Sequence, residues 1–389
     1  MTDVSNSGST HPDAPPAART RLLIVDGSAV MRHMLRRALG AEPAFEIAGE
    51  ASNGRQALDF IERDVPDAVV LDVGMQVMNG LEALVEIRMR HPALPVVMFS
   101  TLTGPGTSTT LDALRKGASD CVAKPPAGGL DASRVMTQEL VPKVKALIGA
   151  AVPPRPRPRA AAGSSAASLV APPARRRSAP PRTPGRPDIL VIGSSTGGPC
   201  ALLEVIAALP ANCNVPVLIV QHMPPVFTRQ LAERLDSRSA LVVSEATNGV
   251  ALAAGRVWVA PGDFHMEVER TGTHATLKLH QGSKEQGCRP AVDVLLRSVA
   301  DAYGARTLAV ILTGMGQDGL IGCRRLRETK AQIVIQDEAT SVVWGMPGAV
   351  AREDLHDAVL PLGDIGKEVA RRLASPYIHL VNHTAGTRS

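Results

Sequence analysis

The chain has 389 residues, of which 44% are hydrophobic and 20% charged, and its formal net charge is +5. This length is typical of two or three domains, and the composition excludes a collagen-like or mostly disordered chain. Aromatic residues make up only 2% of the chain, and no apolar run approaches the roughly 18–20 residues of a membrane span. We therefore expect neither nucleic-acid binding by base stacking nor membrane insertion.

The N-terminal residues and the cysteines predict a cytoplasmic protein. Residues 1–20 contain no apolar stretch typical of a secretion signal, and we expect them to form a disordered tail. The 5 cysteines form no Cys-x-x-Cys pair, which is typical of reduced thiols and not of a disulfide or zinc framework.

A segment rich in proline, arginine, alanine and serine divides the chain. Residues 151–187 contain eight arginines, ten of the 31 prolines and no acidic residue, so the positive charge is concentrated here. Because such a segment buries too little apolar surface to offset its ordering entropy, we predict a disordered linker at 149–187. A basic patch for an acidic partner is the alternative interpretation. The linker would join folded regions at 21–148 and 188–376, with residues 377–389 as a C-terminal tail.

The first folded region alternates strand and helix patterns. Buried strands are predicted at 21–26, 45–50, 68–73, 95–100 and 120–124. Helices are predicted from Ser28 onward and at 52–63, 81–90, 109–116 and 131–148. Ser28 can cap the first helix, whose predicted apolar face consists of Val30, Met31, Met34, Leu35 and Leu39. Five strands alternating with five helices predict a doubly wound parallel sheet.

Polar side chains stand at four strand ends of this predicted sheet. Asp26, Asp72 and Ser100 lie at the ends of the first, third and fourth strands, and Lys124 lies at the end of the fifth. Because ligands bind at the carboxyl ends of parallel strands, we expect these side chains to converge. Carboxylates there could hold Mg²⁺, and a hydroxyl and an ammonium beside them would suit a phosphoryl group. The alternative is that the four polar residues are unrelated.

The second folded region repeats the alternation. Strands are predicted at 188–193, 216–222, 256–261, 307–313 and 332–337, and helices at 200–208, 227–236, 291–302 and 319–329. Two short alternating runs, HMEVER and ATLKLH, predict a β-hairpin between the third and fourth strands. The pattern therefore predicts a second α/β domain.

A serine-containing turn follows the first strand of this second region. The sequence GSSTG fits the pattern G-x-S-x-G, in which glycines permit a tight turn that exposes a nucleophilic serine. Ser195 is the central serine, although the spacing alone does not exclude Ser194. A phosphate-binding loop or a simple tight turn is an open alternative. His222 ends the next strand and is the candidate general base.

A glycine-rich turn at 313–319 follows the fourth strand and supports two interpretations. Its glycines fit G-x-G-x-x-G, and Asp337 ends the next strand, which is the outline of a dinucleotide-binding fingerprint. Against this, Asp318 lies inside the turn and would repel a pyrophosphate. Asp318 could instead orient His222, which places serine, histidine and aspartate at neighbouring strand ends, as acyl transfer requires.

The first region resembles response-regulator receiver domains. The resemblance rests on LLIVDGSAVMR, VVLDVGMQVMNGLEAL, VMFSTLTGPG and GASDCVAKP. It implies a flavodoxin-like fold in which Asp72 accepts a phosphoryl group from a histidine kinase and Asp26 belongs to the acidic pocket. It also implies that Ser100 is the switch hydroxyl and that Lys124 contacts the phosphate.

Three positions depart from the receiver pattern. Gly27 replaces the second of two adjacent acids, which is normally a direct metal ligand. Gly-Met-Gln at 74–76 replaces Glu-Met-Pro, and Asn79 replaces the aspartate of an Asp-Gly pair. We therefore expect that any Mg²⁺ held by Asp26 and Asp72 binds weakly.

The second region resembles the catalytic domain of chemotaxis protein-glutamate methylesterases. The resemblance rests on VIGSSTGGP, VQHMPPVFTRQLAERL, VWVAPGDFHMEV, RPAVDVLLRSVA, ILTGMGQDGLIG and QDEATSVVWGMPGAV. It implies that Ser195, in preference to Ser194, is the nucleophile, that His222 is the general base and that Asp318 orients the base. Backbone N–H groups of Thr196 and Met315 would lie on the oxyanion side. The segment KEQGCRPAVD departs from the family pattern and is expected to alter substrate contacts.

The combined resemblance implies a receiver domain, a linker and a methylesterase domain that use a Ser-His-Asp triad and no catalytic cofactor. The implied reactions are hydrolysis of glutamate methyl esters on chemoreceptors and deamidation of receptor glutamines. The receiver could dock over the esterase site and be moved aside by a charge change at Asp72. A dinucleotide-dependent oxidoreductase and a non-enzymatic signalling adaptor are the alternatives.

Overall fold

The computed structural model describes residues 19–101, 113, 116–125, 135–151, 186–225 and 227–374. Most of the predicted linker and both predicted tails, together with most of the helix predicted at 109–116, lie outside these residues. No helix in the described part of the chain is long and apolar enough to cross a membrane.

The first folded segment contains a five-stranded parallel sheet in the order β2-β1-β3-β4-β5. Its strands are β1 (Thr20–Val25), β2 (Phe45–Ala51), β3 (Ala68–Asp72), β4 (Val96–Thr101) and β5 (Asp120–Lys124). The described helices are Ala29–Gly40, Gly54–Arg63, Gly80–Arg90 and Val141–Ala151, the last preceded by a π-helical turn at Met136–Leu140. The strand order is flavodoxin-like and confirms the predicted fold.

Local capping explains where the helices of this sheet begin. Ser28 accepts a hydrogen bond from Met31 N at 3.4 Å, as predicted for an N-cap residue. Asn79 caps Gly80–Arg90 in a reciprocal capping box with Glu82. The predicted apolar face of the first helix is wrong at Val30, which is 65% exposed, because the buried stripe follows only the i, i+4, i+8 positions of Met31.

The second folded segment contains a seven-stranded parallel sheet in the order β14-β13-β12-β6-β7-β9-β8. Its strands are β6 (Ile189–Ser194), β7 (Val217–Gln221), β8 (Val242–Glu245), β9 (Arg256–Val259), β12 (Thr307–Ile311), β13 (Gln332–Gln336) and β14 (Ala358–Leu360). An antiparallel hairpin of β10 (His265–Thr271) and β11 (His274–His280) confirms the predicted β-hairpin. The helices are Gly198–Ala207, Phe227–Asp236, Val292–Tyr303, Leu320–Glu328, Met346–Arg352 and Leu362–Ala374, with a 3₁₀ turn at Gly304–Arg306.

The centre of the second sheet positions the candidate site. β6 lies between β7 and β12, and chain connections run outward from it in both directions, so this is the topological switch point of the sheet. β6, β7 and β12 are buried along their whole lengths, which is typical of parallel strands covered by helices on both faces. The loops that follow these three strands therefore meet at one edge.

Several elements were not predicted. The helix Leu362–Ala374 was missed although its buried Ile365, Val369 and Leu373 follow an i, i+4, i+8 spacing, whereas the other missed elements carry a weak pattern. β8 and β14 are edge strands of four and three residues with little alternation. Met346–Arg352 begins with a Met-Pro-Gly sequence that obscures its helical pattern. Several boundaries also differ by a few residues; for example, β1 begins at Thr20 and the last helix of the first segment extends to Ala151, into the predicted linker.

Candidate active site

The parallel register brings the candidate triad residues to one edge of the sheet. Ser194 pairs with Gln221 across β6 and β7, and Gly193 pairs with Ile311 across β6 and β12. Adjacent strands lie about 4.7–4.9 Å apart. Ser195 and His222, each one residue beyond its strand, are therefore neighbours.

The two adjacent serines have different environments. Ser194 is fully buried, and its hydroxyl donates to Gln221 Oε1 at 2.7 Å. Ser195 is 8% exposed, while Gln221 Nε2 donates to its backbone oxygen at 2.9 Å. Gly197 has φ +78°, and a Cβ there would lie 2.6 Å from Val342 Cβ, so the turn requires glycine. These contacts favour Ser195 as the reactive hydroxyl.

His222 and Asp318 form a close pair beside this turn. His222 Nε2 lies 2.7 Å from Asp318 Oδ2. The Asp318 carboxylate also accepts hydrogen bonds from the backbone N–H groups of Val292 at 2.6 Å, Asp293 at 2.8 Å and Gly319 at 2.9 Å. The first two donors belong to the N-terminal turn of the helix Val292–Tyr303, where the helix dipole favours negative charge.

The pKa values of this pair follow from those contacts. Burial opposes ionisation of Asp318, but the hydrogen bond from His222 and those from the backbone hold its pKa below the usual range. Burial alone would lower the pKa of His222, but the neighbouring Cys288 sulfur and the Asp318 carboxylate raise it to about 10. The Asp318 carboxylate therefore stabilises the imidazolium that His222 becomes when it accepts a proton.

Cys288 is a neighbour of His222 that the sequence did not predict. Its Sγ lies 3.6 Å from His222 Nδ1, on the side of the ring opposite Asp318. In the described part of the chain, no hydrogen bond joins the Ser195 hydroxyl to His222. The only signal in the sequence was that the segment 284–293 departs from the family pattern.

The turn at 313–319 packs directly against Ser195. Ser195 N donates to Thr313 O at 3.1 Å, and a Cβ on Gly314 would lie 2.9 Å from Ser195 Cβ. Glycine at 314 is therefore needed for this close approach. Met315 follows it, and Thr196 is buried with its Oγ1 lacking a hydrogen-bond partner among the described residues.

Asp337, the acid of the dinucleotide interpretation, has a local partner. Its Oδ1 accepts a hydrogen bond from Thr340 N at 3.0 Å and another from Thr340 Oγ1. Asp318, in contrast, points at His222 from within the glycine-rich turn. The geometry therefore favours a serine-histidine-aspartate site over a pyrophosphate site.

The acidic pocket forms at the carboxyl end of the first sheet. Lys124 Nζ lies 2.6 Å from Asp26 Oδ2 and 2.9 Å from Asp72 Oδ2. Ser100 is buried on β4, one position beyond the residue that pairs with Asp72. The pKa of Asp26 is raised because the side chain is buried and faces Asp72, although Lys124 opposes the shift. The structure thus brings together the four residues predicted for this pocket.

Gly27 leaves open space beside the pocket. An added Cβ would lie 3.8 Å from Gly74 O and Met75 Cγ, so the position has room for a side chain but supplies no ligand. The residues described contain no group of three or more His, Cys, Asp or Glu side chains that could hold a metal ion. Asp26 and Asp72 are the two carboxylates of the pocket, and Lys124 Nζ lies within 3 Å of both.

Comparison with known families defines the class of protein. The model of the CheB methylesterase family matches residues 190–369, and that of the response regulator receiver domain matches residues 22–130. The chain is thus a response regulator in which a receiver domain is joined to a methylesterase domain.

Curated relatives identify the family. Proteins from Nocardioides sp. and Trichodesmium erythraeum, each named protein-glutamate methylesterase/protein-glutamine glutaminase, are 46% and 41% identical to this chain. The first alignment covers 93% of this chain and 97% of the relative, and the second covers 91% and 99%. The chain belongs to the protein-glutamate methylesterase/protein-glutamine glutaminase family. Membership in this enzyme family favours hydrolysis over the oxidoreductase and adaptor interpretations.

Two solved structures from Thermotoga maritima are similar to parts of the chain. The CheB methylesterase catalytic domain is 43% identical with a TM-score of 0.47 and covers 48% of this chain and 98% of its own length. The response regulator domain of CheB is 34% identical with a TM-score of 0.31 and covers 34% of this chain and 98% of its own length.

Proposed function

We propose that this protein hydrolyses methyl esters of glutamate side chains on chemoreceptors and deamidates receptor glutamines. Ser195 is the nucleophile, His222 the general base and Asp318 the residue that orients the base. The observation that carries this proposal is the 2.7 Å contact between His222 Nε2 and Asp318 Oδ2. His222 follows β7, the strand next to β6, which Ser195 follows. Release of methanol from methylated receptor membranes tests it.

In this proposal each proton transfer takes place at a particular atom. Because His222 Nε2 faces Asp318, Nδ1 is the nitrogen that accepts the Ser195 proton. Ser195 Oγ then attacks the side-chain carbonyl, and the C–O bond to methanol breaks as His222 returns the proton to the leaving group. Water hydrolyses the resulting acyl-enzyme by the same route. For a glutamine substrate, the C–N bond breaks and ammonia leaves.

Backbone donors stabilise the oxyanion in this proposal. The N–H groups of Thr196 and Met315 belong to the two turns that contact Ser195, and such donors act where charge develops in the transition state. Support comes from the close approach at Gly314, which holds the second turn against the Ser195 Cβ. These steps use only side chains, backbone groups and water.

The receiver domain supplies regulation in this proposal. Asp72 accepts a phosphoryl group from a histidine kinase, with Lys124 contacting the phosphate and Ser100 as the switch hydroxyl. Support comes from an apolar cluster in which Val343 packs with receiver residues that include Met136. Val343 O also accepts a hydrogen bond from Gly314 N at 2.9 Å, beside the proposed oxyanion donor. A charge change at Asp72 would alter this contact.

Asp26 and Asp72 would hold the receiver's Mg²⁺, which neutralises charge as a phosphoryl group arrives. Replacing Gly27 with aspartate is expected to tighten Mg²⁺ binding about tenfold or more and to speed labelling of Asp72 by a small acyl phosphate. Gly27→Ala is the matched control, because it adds the Cβ without a carboxylate. The weak-site interpretation is wrong if the unmodified protein binds Mg²⁺ and labels as readily as Gly27→Asp.

Limited proteolysis of the full chain tests the predicted domain division. Because exposed, unpacked segments are cut first, we expect the earliest cuts within 151–187 and a folded, active fragment spanning 188–389. A protease that cleaves after small residues should be used beside trypsin, since the eight linker arginines alone would attract trypsin. Early cuts within 21–148 would show that the division is wrong.

A further inference from the structure

Cys288 lies beside His222 Nδ1, the nitrogen that accepts the Ser195 proton in the proposed mechanism. His222 Nε2 faces Asp318 at 2.7 Å, and Nδ1 faces Cys288 Sγ at 3.6 Å. Cys288 is partly exposed. The three side chains form a line of thiol, imidazole and carboxylate, which is the arrangement that activates a cysteine.

The backbone holds Cys288 in this position. Cys288 N donates to Glu285 O at 2.7 Å, and Glu285 N donates to Cys288 O at 3.1 Å. Arg297, on the helix that also binds Asp318, forms a two-bond ion pair with Glu285 at 2.6 and 2.9 Å. The thiol is therefore fixed relative to the same helix that positions the carboxylate.

We propose that Cys288 is a modification site of the esterase, at which His222 activates the thiol for reaction with peroxides and the oxidised sulfur then blocks His222. Only the predicted effect of this oxidation on ester hydrolysis rests on the proposed function; the reactivity of the thiol does not. A thiol gives up its proton far more readily than an aliphatic hydroxyl, so His222 Nδ1 takes the Cys288 proton before that of Ser195.

The charges around His222 support this proton transfer. Asp318 faces one nitrogen and the Cys288 sulfur faces the other, and both raise the pKa of His222 against the effect of burial. Asp293 lies behind Asp318 and is itself buried, and Arg297 is the nearby cation. Transfer of the Cys288 proton to His222 Nδ1 would leave a thiolate, which is the reactive form of cysteine.

The reaction with hydrogen peroxide is a balanced two-electron oxidation. The Cys288 sulfur attacks one peroxide oxygen, so that an S–O bond forms and the O–O bond breaks. The proton held by His222 passes to the departing oxygen, which leaves as water. The product is a sulfenic acid whose oxygen lies between the sulfur and His222 Nδ1, where the Ser195 proton would otherwise go.

Alkylation kinetics test the thiol without any esterase measurement. Iodoacetamide labelling of the full chain, followed by mass spectrometry, is expected to be fast at Cys288 and to slow about tenfold or more in His222→Asn. Exposed Cys200 is the internal control, and unlabelled buried Cys121, Cys213 and Cys323 report an intact fold. Equal Cys288 rates in both proteins, with the controls unchanged, would overturn the proposal.

The unmodified protein provides a second measurement if His222→Asn does not fold. At pH 7 the labelling rate of Cys288 in the unmodified protein is expected to exceed that of exposed Cys200 about tenfold or more, because His222 Nδ1 lies 3.6 Å from Cys288 Sγ. Equal labelling rates at the two cysteines would overturn the proposal.

Peroxide treatment tests the consequence for hydrolysis. Methanol release by the unmodified protein is expected to fall at least tenfold after hydrogen peroxide and to return after a thiol reductant. After peroxide, the Cys288→Ser variant should release methanol as fast as before the treatment. The Cys200→Ser variant should lose activity on treatment, as the unmodified protein does. Equal sensitivity of Cys288→Ser would overturn the proposal. If no sample releases methanol, the proposed function is wrong, and the labelling experiment still tests whether His222 activates the Cys288 thiol.

Discussion

Replacing Ser195 with alanine is expected to lower methanol release by about 10⁴–10⁶-fold while the fold is retained. The reason is that Ser195 is the proposed nucleophile, one residue beyond the point where Ser194 pairs with Gln221, which directly precedes His222. The substitution removes one oxygen at a turn whose backbone hydrogen bonds remain. Methanol release from labelled receptor membranes and thermal unfolding of the purified variant are the measurements.

Ser194→Ala is the matched control for this prediction. The Ser194 hydroxyl donates to Gln221 and is fully buried, so its loss should cost roughly 1 kcal/mol of stability and leave hydrolysis measurable. Retention of more than a few per cent of activity in Ser195→Ala, together with loss of activity in Ser194→Ala, would assign the nucleophile to Ser194.

Replacing Asp318 with asparagine is expected to lower turnover by about 10⁴-fold, less than the loss of Ser195. Asparagine keeps the size of the side chain but removes the charge that pairs with His222 and accepts three backbone N–H bonds. Since Asp318 raises the pKa of His222, loss of the Asp318 charge should lower that pKa. Neutral His222, the form that acts as the base, should then be present at lower pH. Initial rates over a pH series measure both effects.

Asp337→Asn is the matched control for Asp318. Asp337 follows the next strand, and its carboxylate accepts hydrogen bonds from Thr340 in its own turn, so its substitution should change the rate little. The dinucleotide interpretation makes the opposite prediction, because Asp337 would then hold a ribose. An unchanged rate in Asp318→Asn together with measurable dinucleotide binding would contradict the esterase assignment.

The hydrophobic pattern was sufficient to predict both sheets and the strand ends that carry the candidate residues. Buried parallel strands are nearly continuous apolar runs, and the residue after each run necessarily reaches the carboxyl edge of the sheet. Asp26, Asp72 and His222 were placed by this rule, whereas Ser195 and Asp318 were placed by the glycine-containing turns that follow their strands. The contacts of Lys124 with Asp26 and Asp72 and of His222 with Asp318 agree with the predicted pairings, whereas the chemical roles of all these residues remain proposals.

Long-range side-chain contacts could not be predicted from local pattern. The choice between Ser194 and Ser195 depends on the Gln221 side chain, which lies on another strand. The contact between Cys288 and His222 depends on the chain returning to the site after the hairpin β10–β11. No period of two or 3.6 residues encodes such a return, so the sequence showed only an unusual segment there.

The most direct test of the central claim is methanol release from receptor membranes carrying labelled methyl esters on glutamate, with the full-length protein and its Ser195→Ala variant. The account predicts steady release by the unmodified protein and release at or below one ten-thousandth of that rate by the variant. Absence of release by the unmodified protein, or equal release by the two proteins, would contradict it.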